Sequence, residues 1–347
     1  MIDQEISKNI RELKEFLGDE VVILAHHYQR DEVYIHGDFT GDSLKLAQLA
    51  ISQSNAKYII FCGVHFMAET AAILSGRRKR VILPNLKAGC PMADKAPIDE
   101  VLKSFSYLKD YFKGKKIVPI TYINSTADVK AFVGKENGYV CTSSNADKVL
   151  EKALERGDIV FFLPDQHLGR NTSYKMGISL NEMAMWDRKK GLIFSGEKDR
   201  LKVILWGGHC WVHQMFQPTH VIHFRKMDNP YKIIVHPECS FEVFKMADYY
   251  GSTEKIIKTV EEAESGTFWA IGTEKNLVMR LARNNPDKNI EILSNFNTVC
   301  RTMSKIRDVD LLNVLKGLKE DVVYNEIVVS EEVRKYSKIA LQNMFLV

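Results

Sequence analysis

Three cysteines occupy turns that follow apolar runs, and thiolates are strong ligands for soft metal ions. Cys90, Cys210 and Cys300 each lie in such a turn. A single cysteine there is typical of a core thiol, but these three stand at equivalent points of a repeat. Three thiolates that converge on one point fit an iron–sulfur cluster or a zinc ion. Zinc needs a fourth ligand, such as His213, whereas a [4Fe–4S] cluster on three cysteines leaves one iron open to substrate.

The other three cysteines have different surroundings. Cys62 and Cys141 sit inside apolar runs and are predicted core thiols. Cys239 directly follows Glu238, so it is expected to face away from that carboxylate and is kept as the reserve ligand. The six cysteines form no Cys-x-x-Cys pair. The sequence therefore predicts neither a zinc ribbon nor, in a cytosolic chain, a disulfide framework.

Three pairs of polar residues end other apolar runs. They are His26 with Tyr28, Tyr122 with Asn124, and His236 with Glu238. Side chains two apart in a strand share a face, so each pair points one way if the strand continues. Histidine and glutamate are natural proton-transfer groups, and a tyrosine hydroxyl can hold a substrate oxygen. The ordinary alternative is a core histidine and an exposed, idle glutamate.

Ser43, Ser143 and Thr253 each occur at a predicted helix start. Simple N-capping alone explains a serine or threonine there. The functional alternative adds anion binding, because a helix N-terminus carries free N–H groups and partial positive charge. Three such helix starts around one cavity would suit a substrate rich in carboxylate and phosphate.

Apolar runs alternate with helical patterns along the chain, which is typical of an α/β fold. The nine runs are residues 21–25, 58–61, 81–83, 117–121, 159–163, 203–205, 233–235, 268–271 and 290–293. They form three sets, each opening with a polar pair and closing on a cysteine. Pair and cysteine are 64 residues apart in the first and third sets. The middle set spans 88 residues, and its 24 extra residues are expected near 175–200, where the strand signal lapses. An internal threefold repeat is therefore predicted.

The predicted architecture is three similar α/β domains with short parallel sheets around a pseudo-threefold axis. The first repeat is predicted over 1–92 plus 303–347, the second over 93–212 with the insertion near 175–200, and the third over 213–302. In parallel α/β sheets the ligand site lies beyond the carboxyl ends of the strands. Three such ends would direct the polar pairs and the three cysteines at one central cavity, the predicted active site.

Composition and charge exclude several classes of protein. The 347 residues are 45% hydrophobic and 27% charged, which are ordinary values for a globular protein. No apolar run is long enough for a membrane-spanning helix. The first residues show no leader pattern, so a cytoplasmic location is expected. The net charge is only +4, and the basic cluster at residues 77–80 is predicted to end a helix rather than to bind nucleic acid.

With these residues assembled, the sequence resembles the quinolinate synthase family over nearly its whole length. The resemblance rests on ordered motifs that are specific in combination. They are Ala25-His26-His27-Tyr28-Gln29, Gly41-Asp42-Ser43-Leu44, the segment 61–70, Gly89-Cys90-Pro91-Met92-Ala93, Tyr122-Ile123-Asn124-Ser125, the segment 141–146, Pro164-Asp165-Gln166-His167-Leu168-Gly169, Gly208-His209-Cys210-Trp211-Val212-His213 and His236-Pro237-Glu238-Cys239. It implies three similar α/β domains around a central [4Fe–4S] cluster held by Cys90, Cys210 and Cys300. Some family members carry a further cysteine where this chain has Met303, so no dithiol switch is expected there.

The resemblance also implies a reaction in the de novo biosynthesis of NAD. Iminoaspartate condenses with dihydroxyacetone phosphate to give quinolinate, phosphate and water, and an L-aspartate-oxidising enzyme is the expected upstream partner. An open iron would act as a Lewis acid on a leaving hydroxyl and hold the dicarboxylate product. Proton transfer is assigned first to Glu238 and Tyr122, with Tyr28 and His26 as further catalytic candidates. The residues expected to bind substrate oxygens are His26, Ser43, Tyr122, Asn124, Ser143, His236, Glu238 and Thr253.

Two other functions are compatible with these residues. A cluster-dependent hydro-lyase acting on another hydroxy acid would share the open iron but would need no phosphate site. A structural zinc or iron–sulfur protein could bind nucleic acid through residues 77–80. The near-neutral charge balance and the lack of interleaved aromatic residues argue against that last function.

Overall fold

The computed structural model describes residues 2–52, 55–76 and 79–346. Within them the strands are β1 Val21–His26, β2 Phe39–Gly41, β3 Tyr58–Cys62, β4 Arg80–Ile82, β5 Ile117–Tyr122, β6 Tyr139–Cys141, β7 Ile159–Leu163, β8 Met183–Asp187, β9 Gly191–Phe194, β10 Val203–Trp206, β11 Lys232–Val235, β12 Tyr249–Tyr250, β13 Phe268–Gly272 and β14 Asn289–Ile292. The α-helices are α1 Gln4–Leu17, α2 Asp31–Tyr34, α3 Ser43–Ser52, α4 His65–Ser75, α5 Ile98–Tyr111, α6 Ala127–Lys135, α7 Ala146–Arg156, α8 Gln166–Lys175, α9 Trp211–Gln214, α10 Pro218–Arg225, α11 Phe241–Met246, α12 Thr253–Glu261, α13 Lys275–Asn284, α14 Asp308–Lys319 and α15 Glu331–Phe345.

The chain divides into two compact units. The first holds Met1–Cys90, Glu274–Asn284 and Asn297–Val329. The second holds Pro91–Thr273, Asn285–Phe296 and Ser330–Val347. One β-sheet lies in the first unit and two lie in the second.

The sheet of the first unit is parallel throughout, in the order β2-β1-β3-β4. Every residue of β1 and β3 is buried, as expected where helices cover both faces of a parallel sheet. Such strands are near-continuous apolar runs, which is why the sequence predicts them well. The sheet places His26 at the carboxyl end of β1, one of its two inner strands.

The second unit repeats this strand order twice. One sheet runs β12-β11-β13-β14, and the other begins β6-β5-β7-β10, with parallel pairing throughout these strands. The strand that leads into each polar pair, β1, β5 or β11, holds the same place in all three sheets. The predicted α/β class with several short parallel sheets is therefore confirmed.

The middle sheet is larger because β8 and β9 extend it beyond β10. β8 pairs parallel with β10, and β9 pairs antiparallel with β8. Both strands lie within residues 175–200, where the sequence marked the insertion. The strand signal lapses there in the sequence, yet the structure forms two strands. β9 is an edge strand with partly exposed side chains. Its short apolar run, Leu192-Ile193-Phe194, directly follows charged residues and a glycine, which hide the strand pattern in the sequence.

The C-terminal helix α15 packs closely against α6 in the second unit. A Cβ atom at Gly134 would lie only 1.9 Å from the carbonyl oxygen of Tyr336, so glycine is needed for this approach. The Ser337 hydroxyl donates to the carbonyl oxygen of Ala127 at 2.8 Å. The sequence analysis placed 303–347 in the first repeat. An amphipathic pattern shows that a helix has an apolar face, but it does not show which sheet that face covers. The domain boundaries stay a prediction.

The basic cluster at residues 77–80 follows helix α4, which ends at Ser75. Arg77 and Arg78 lie outside the described residues. Arg80 opens β4 and forms an ion pair with Glu326. Among the described helices, none has the length and apolarity needed to cross a membrane.

Candidate active site

Glu238 is the centre of a buried polar cluster in the second unit. It follows β11 in a turn closed by the Cys239 N–H donating to the carbonyl oxygen of His236 at 3.0 Å. Its Oε2 lies 2.8 Å from Nδ1 of His213, and its Oε1 lies 4.0 Å from Nδ1 of His236. The Tyr122 side chain also hydrogen-bonds to it. The predicted site residues Tyr122, His236 and Glu238 are thus brought together with His213.

The charges of this cluster follow from burial and from the two imidazoles. Burial alone raises the pKa of Glu238, but His213, His236 and the hydrogen bonds from His213 and Tyr122 outweigh it and lower that pKa to about 2. Burial, together with His213, lowers the pKa of His236 to about 3. At neutral pH Glu238 is therefore a carboxylate beside a neutral His236.

Asp165 is a second buried carboxyl group near this cluster. It ends the segment after β7 and caps helix α8, because its Oδ1 accepts the N–H groups of His167 and Leu168 at 2.8 Å each. The backbone N–H of Cys210 also donates to it. Its Oδ2 is buried without a hydrogen-bond partner among the described residues. Burial, and then the charge of Glu238, raise the pKa of Asp165.

Sequence reasoning missed Asp165, although a signal was present. It follows an apolar run at the carboxyl end of a parallel strand, as His26 and His236 do. The rule that selected those histidines selects Asp165 as well.

Cys210, His213 and Glu238 could hold a metal ion. One ligand atom from each lies within 4.8 Å of the others. Cys210 precedes the short helix α9, and His213 lies one turn along it. The Nε2 atom of His213 lies 3.2 Å from the Thr273 hydroxyl. Sequence reasoning had named His213 only as an optional zinc ligand.

The three cysteines predicted to hold a cluster are all half-buried in loops. Cys90 and Cys300 belong to the first unit and Cys210 to the second. The Cys300 N–H donates to Oε1 of Glu274 at 3.1 Å. Burial raises the pKa of Glu274 to about 8, although the backbone N–H groups at its oxygens oppose that shift. Ligation by these three thiols stays a prediction, and Glu274 was not found from the sequence.

Cys62 and Cys141 are fully buried at the ends of β3 and β6, so the prediction of core thiols is confirmed. Burial raises the pKa of each. The reserve ligand, Cys239, is also fully buried and packs in an apolar cluster with Phe216, Val243 and their neighbours. Its Sγ lies 3.6 Å from the carbonyl oxygen of Gly272.

In the first unit, His26 and Tyr28 lie together although the strand does not continue to residue 28. β1 ends at His26, and the chain turns there as the Gln29 N–H donates to the His26 carbonyl oxygen at 2.9 Å. The two rings still meet edge to face, with centroids 4.7 Å apart. The Tyr28 N–H donates to Nδ1 of His26 at 3.1 Å.

Asn124 follows β5 in the second unit. Its Oδ1 is buried, with no hydrogen-bond partner within the part of the chain that the structure describes. An amide placed this way can accept a hydrogen bond from a ligand.

Ser43 and Thr253 are the first residues of α3 and α12. The capping side chains belong to the preceding residues, since Asp42 accepts the N–H of Lys45 and Ser252 that of Lys255. The prediction that Ser143 opens a helix is wrong, because α7 begins at Ala146.

Ser143 lies in the turn before α7, where it lines a cavity of about 290 Å³. The lining of this cavity also includes Lys175, Ser252 and Lys255. Lys175 is paired with Asp147, another lining residue, at 3.5 Å, so the Lys255 ammonium and the hydroxyl donors are the groups suited to an anion here.

Comparison with known proteins identifies one family over most of this sequence. A family model described as "Quinolinate synthetase A protein" matches residues 8–346. The curated quinolinate synthase of Geobacillus sp. (strain WCH70) is 49% identical over 342 residues, which cover 98% of this chain and 93% of that protein. The quinolinate synthase of Listeria innocua is 46% identical over 345 residues, covering 99% and 94%.

Proposed function

The chain belongs to the quinolinate synthase family and is an enzyme of that kind, and we propose that it condenses iminoaspartate with dihydroxyacetone phosphate. The products are quinolinate, inorganic phosphate and water. The observation that carries this proposal is the buried set of Glu238, Tyr122 and His236 beyond the carboxyl ends of parallel strands. It supplies a base, a hydroxyl and a neutral imidazole in one place.

Glu238 and Tyr122 are suited to move protons during tautomerisation and loss of water. Glu238 is a carboxylate at neutral pH, so it can accept a proton. The Tyr122 hydroxyl already hydrogen-bonds to that carboxylate and can pass a proton between it and a substrate atom. His213 also holds the carboxylate in position, since its Nδ1 lies 2.8 Å from Oε2.

His26 and His236 are set to donate hydrogen bonds to substrate oxygens. In each turn, the N–H of the residue two positions further on donates to Nδ1, at 3.1 Å for His26 and 3.4 Å for His236. A ring nitrogen that accepts a hydrogen bond carries no proton, so the proton of the neutral ring lies on Nε2. Both turns therefore fix the same histidine tautomer, in which Nε2–H can donate to a substrate carboxylate.

Asn124, Ser43, Ser143 and Thr253 complete the proposed set for substrate oxygens. Ser43 and Thr253 stand in the first turns of α3 and α12, where backbone N–H groups and the helix dipole favour anions. Tyr28, whose ring contacts His26, is proposed to hold a hydroxyl or carbonyl oxygen of the substrate.

The donor set of the chain fits an iron–sulfur cluster. Cys90, Cys210 and Cys300 are the half-buried cysteines, whereas Cys62, Cys141 and Cys239 are fully buried. The first three would hold a [4Fe–4S] cluster, because thiolates are its usual ligands. When bound, such a cluster supplies a Lewis acid for a leaving hydroxyl.

The cellular setting is part of the same proposal. All six cysteines are free thiols, which suits a reducing compartment, and we place the enzyme in the cytoplasm. Iminoaspartate would be supplied by an enzyme that oxidises L-aspartate.

The test is a product assay on anaerobically purified protein with a reconstituted cluster. Iminoaspartate and dihydroxyacetone phosphate are supplied, and quinolinate is measured. No quinolinate from protein with full iron and sulfide content would refute the proposal. Replacing Cys90, Cys210 or Cys300 with Ala should each abolish cluster assembly, while Cys62→Ala, the matched buried thiol, should retain it.

A further inference from the structure

Cys210, His213 and Glu238 combine three ligand classes within the second unit alone. A thiol sulfur, an imidazole nitrogen and a carboxylate oxygen lie within 4.8 Å of one another. Cys210 and His213 are three residues apart at the start of α9, so one helical turn brings them to the same side. His213 and Glu238 are nearly fully buried, which limits their alternative rotamers.

This ligand set matches the preferences of zinc. Zn²⁺ binds thiolate at about 2.3 Å and nitrogen or oxygen at about 2.0–2.2 Å, and a tetrahedral site spaces these atoms about 3.4–3.6 Å apart. The present distance between Nδ1 of His213 and Oε2 of Glu238 is 2.8 Å. The His213 and Glu238 atoms would therefore move apart by about half an ångström, and ligand atoms that lie as much as 4.8 Å apart would approach by about 1 Å, to admit the ion.

The surroundings support a cation at this point. The Thr273 hydroxyl can accept a hydrogen bond from Nε2–H of His213 across 3.2 Å, which leaves Nδ1 as the ligand atom. Residues beside metal-bound histidines commonly fix the ring in this way. Asp165 accepts the Cys210 N–H and keeps a buried Oδ2 with no described partner. Two carboxyl groups and a thiol thus share one buried region, where a divalent ion would offset their mutual repulsion.

We propose that the cluster-free protein binds one divalent ion of the zinc class through Cys210, His213 and Glu238. The fourth position is filled by water or by a substrate carboxylate. Binding releases the proton of the Cys210 thiol, and the His213 proton that faces Glu238 moves from Nδ1 to Nε2, where it can hydrogen-bond to the Thr273 hydroxyl. The ion also competes with cluster assembly for Cys210, and this part alone rests on the proposed function.

The experiment uses the full chain, purified anaerobically without its cluster and titrated with Co²⁺. The expected result is one Co²⁺ per chain, with a sulfur-to-cobalt absorption band in the near ultraviolet and tetrahedral bands in the visible that Zn²⁺ abolishes. Cys210→Ser should remove the sulfur band. His213→Ala and the conservative Glu238→Gln should each weaken binding about 10–100-fold. Cys90→Ser and Cys300→Ser are the matched controls and should bind Co²⁺ as the wild type does.

A second measurement keeps the proposal open to refutation if a variant folds poorly. At the same concentration, Zn²⁺ should raise the Tm of the wild type and of Cys90→Ser more than that of Glu238→Gln. It should also slow iron–sulfur reconstitution in the wild type. Unchanged Co²⁺ affinity in both His213→Ala and Glu238→Gln would overturn the proposal, and so would loss of the sulfur band in Cys90→Ser or Cys300→Ser. Absence of quinolinate formation would refute the proposed function and leave the metal site standing.

Discussion

Asn171→Ala is expected to destabilise the protein and to weaken catalysis through the turn that carries Glu238. Asn171 is fully buried in α8, and its amide nitrogen donates to the carbonyl oxygens of Pro237 at 2.8 Å and Cys239 at 2.9 Å. Each lost bond removes about 1 kcal/mol, and a carbonyl left unsatisfied adds to the loss, so the free energy of unfolding should fall by about 2–4 kcal/mol. A turn that loosens by about 1 Å should lower kcat/KM about 100-fold.

Urea unfolding followed by circular dichroism and steady-state formation of quinolinate measure the two effects. Asn313, exposed on α14, provides the control, since Asn313→Ala should change the free energy of unfolding by less than about 0.5 kcal/mol. Asn171→Asp keeps the size of the side chain but places a carboxyl oxygen against two carbonyl oxygens. It should therefore lower stability and kcat/KM at least as much as Asn171→Ala does. A stable, active Asn171→Asp enzyme would refute the reasoning, because packing rather than donated hydrogen bonds would then hold the turn.

Three further changes test other parts of the structure. Glu238→Gln should lower kcat about 10²–10⁴-fold while leaving iron and sulfide content unchanged, because an amide cannot accept the proton; an unaltered kcat would remove Glu238 from proton transfer. Gly134→Ala should lower the free energy of unfolding by about 1–3 kcal/mol, because the new Cβ would lie 1.9 Å from the carbonyl oxygen of Tyr336. The measurement is the Tm, and an unchanged Tm would contradict that close approach. Lys255→Ala should raise the KM for the phosphate-bearing substrate about fivefold with little change in kcat, since the ammonium lines the anion-suited cavity; equal KM values would exclude a role for this cavity in binding.

The nine strands marked by apolar runs could be predicted from the sequence, the edge strands β4 and β14 among them, whereas the short edge strands β2, β6 and β12 could not. A strand covered on both faces, such as β1 or β3, needs apolar residues throughout, and this requirement makes it visible in the sequence. β2, β6 and β12 are only two or three residues long, and pairing with a neighbour defines them more than their own side chains do. Their register therefore appears only in the folded sheet.

The residues of the candidate site also fall into those that could be predicted from the sequence and those that could not. His26, His236 and Glu238 were predictable because they follow buried strands in equivalent places. Asn171 and Glu274 could not be predicted. Asn171 donates to the carbonyl oxygen of Pro237, and Glu274 accepts the N–H of Cys300, so both bind backbone groups that are distant in sequence. Such roles depend on tertiary contacts, which residue type and local spacing do not encode.

The backbone-to-ring hydrogen bond in the turns at His26 and His236 has a consequence for which ligands are accepted. Because each Nδ1 is occupied by a backbone N–H, each ring can only offer a hydrogen, and a ligand must bring a lone pair to Nε2. A molecule that presents an ammonium group there would leave two donors facing each other, at a cost of about 1–3 kcal/mol, or roughly 5–150-fold in affinity. If both rings bind substrate as proposed, these two turns would disfavour amines, and discrimination between an amino acid and its oxidised, less protonated form would begin in the main chain.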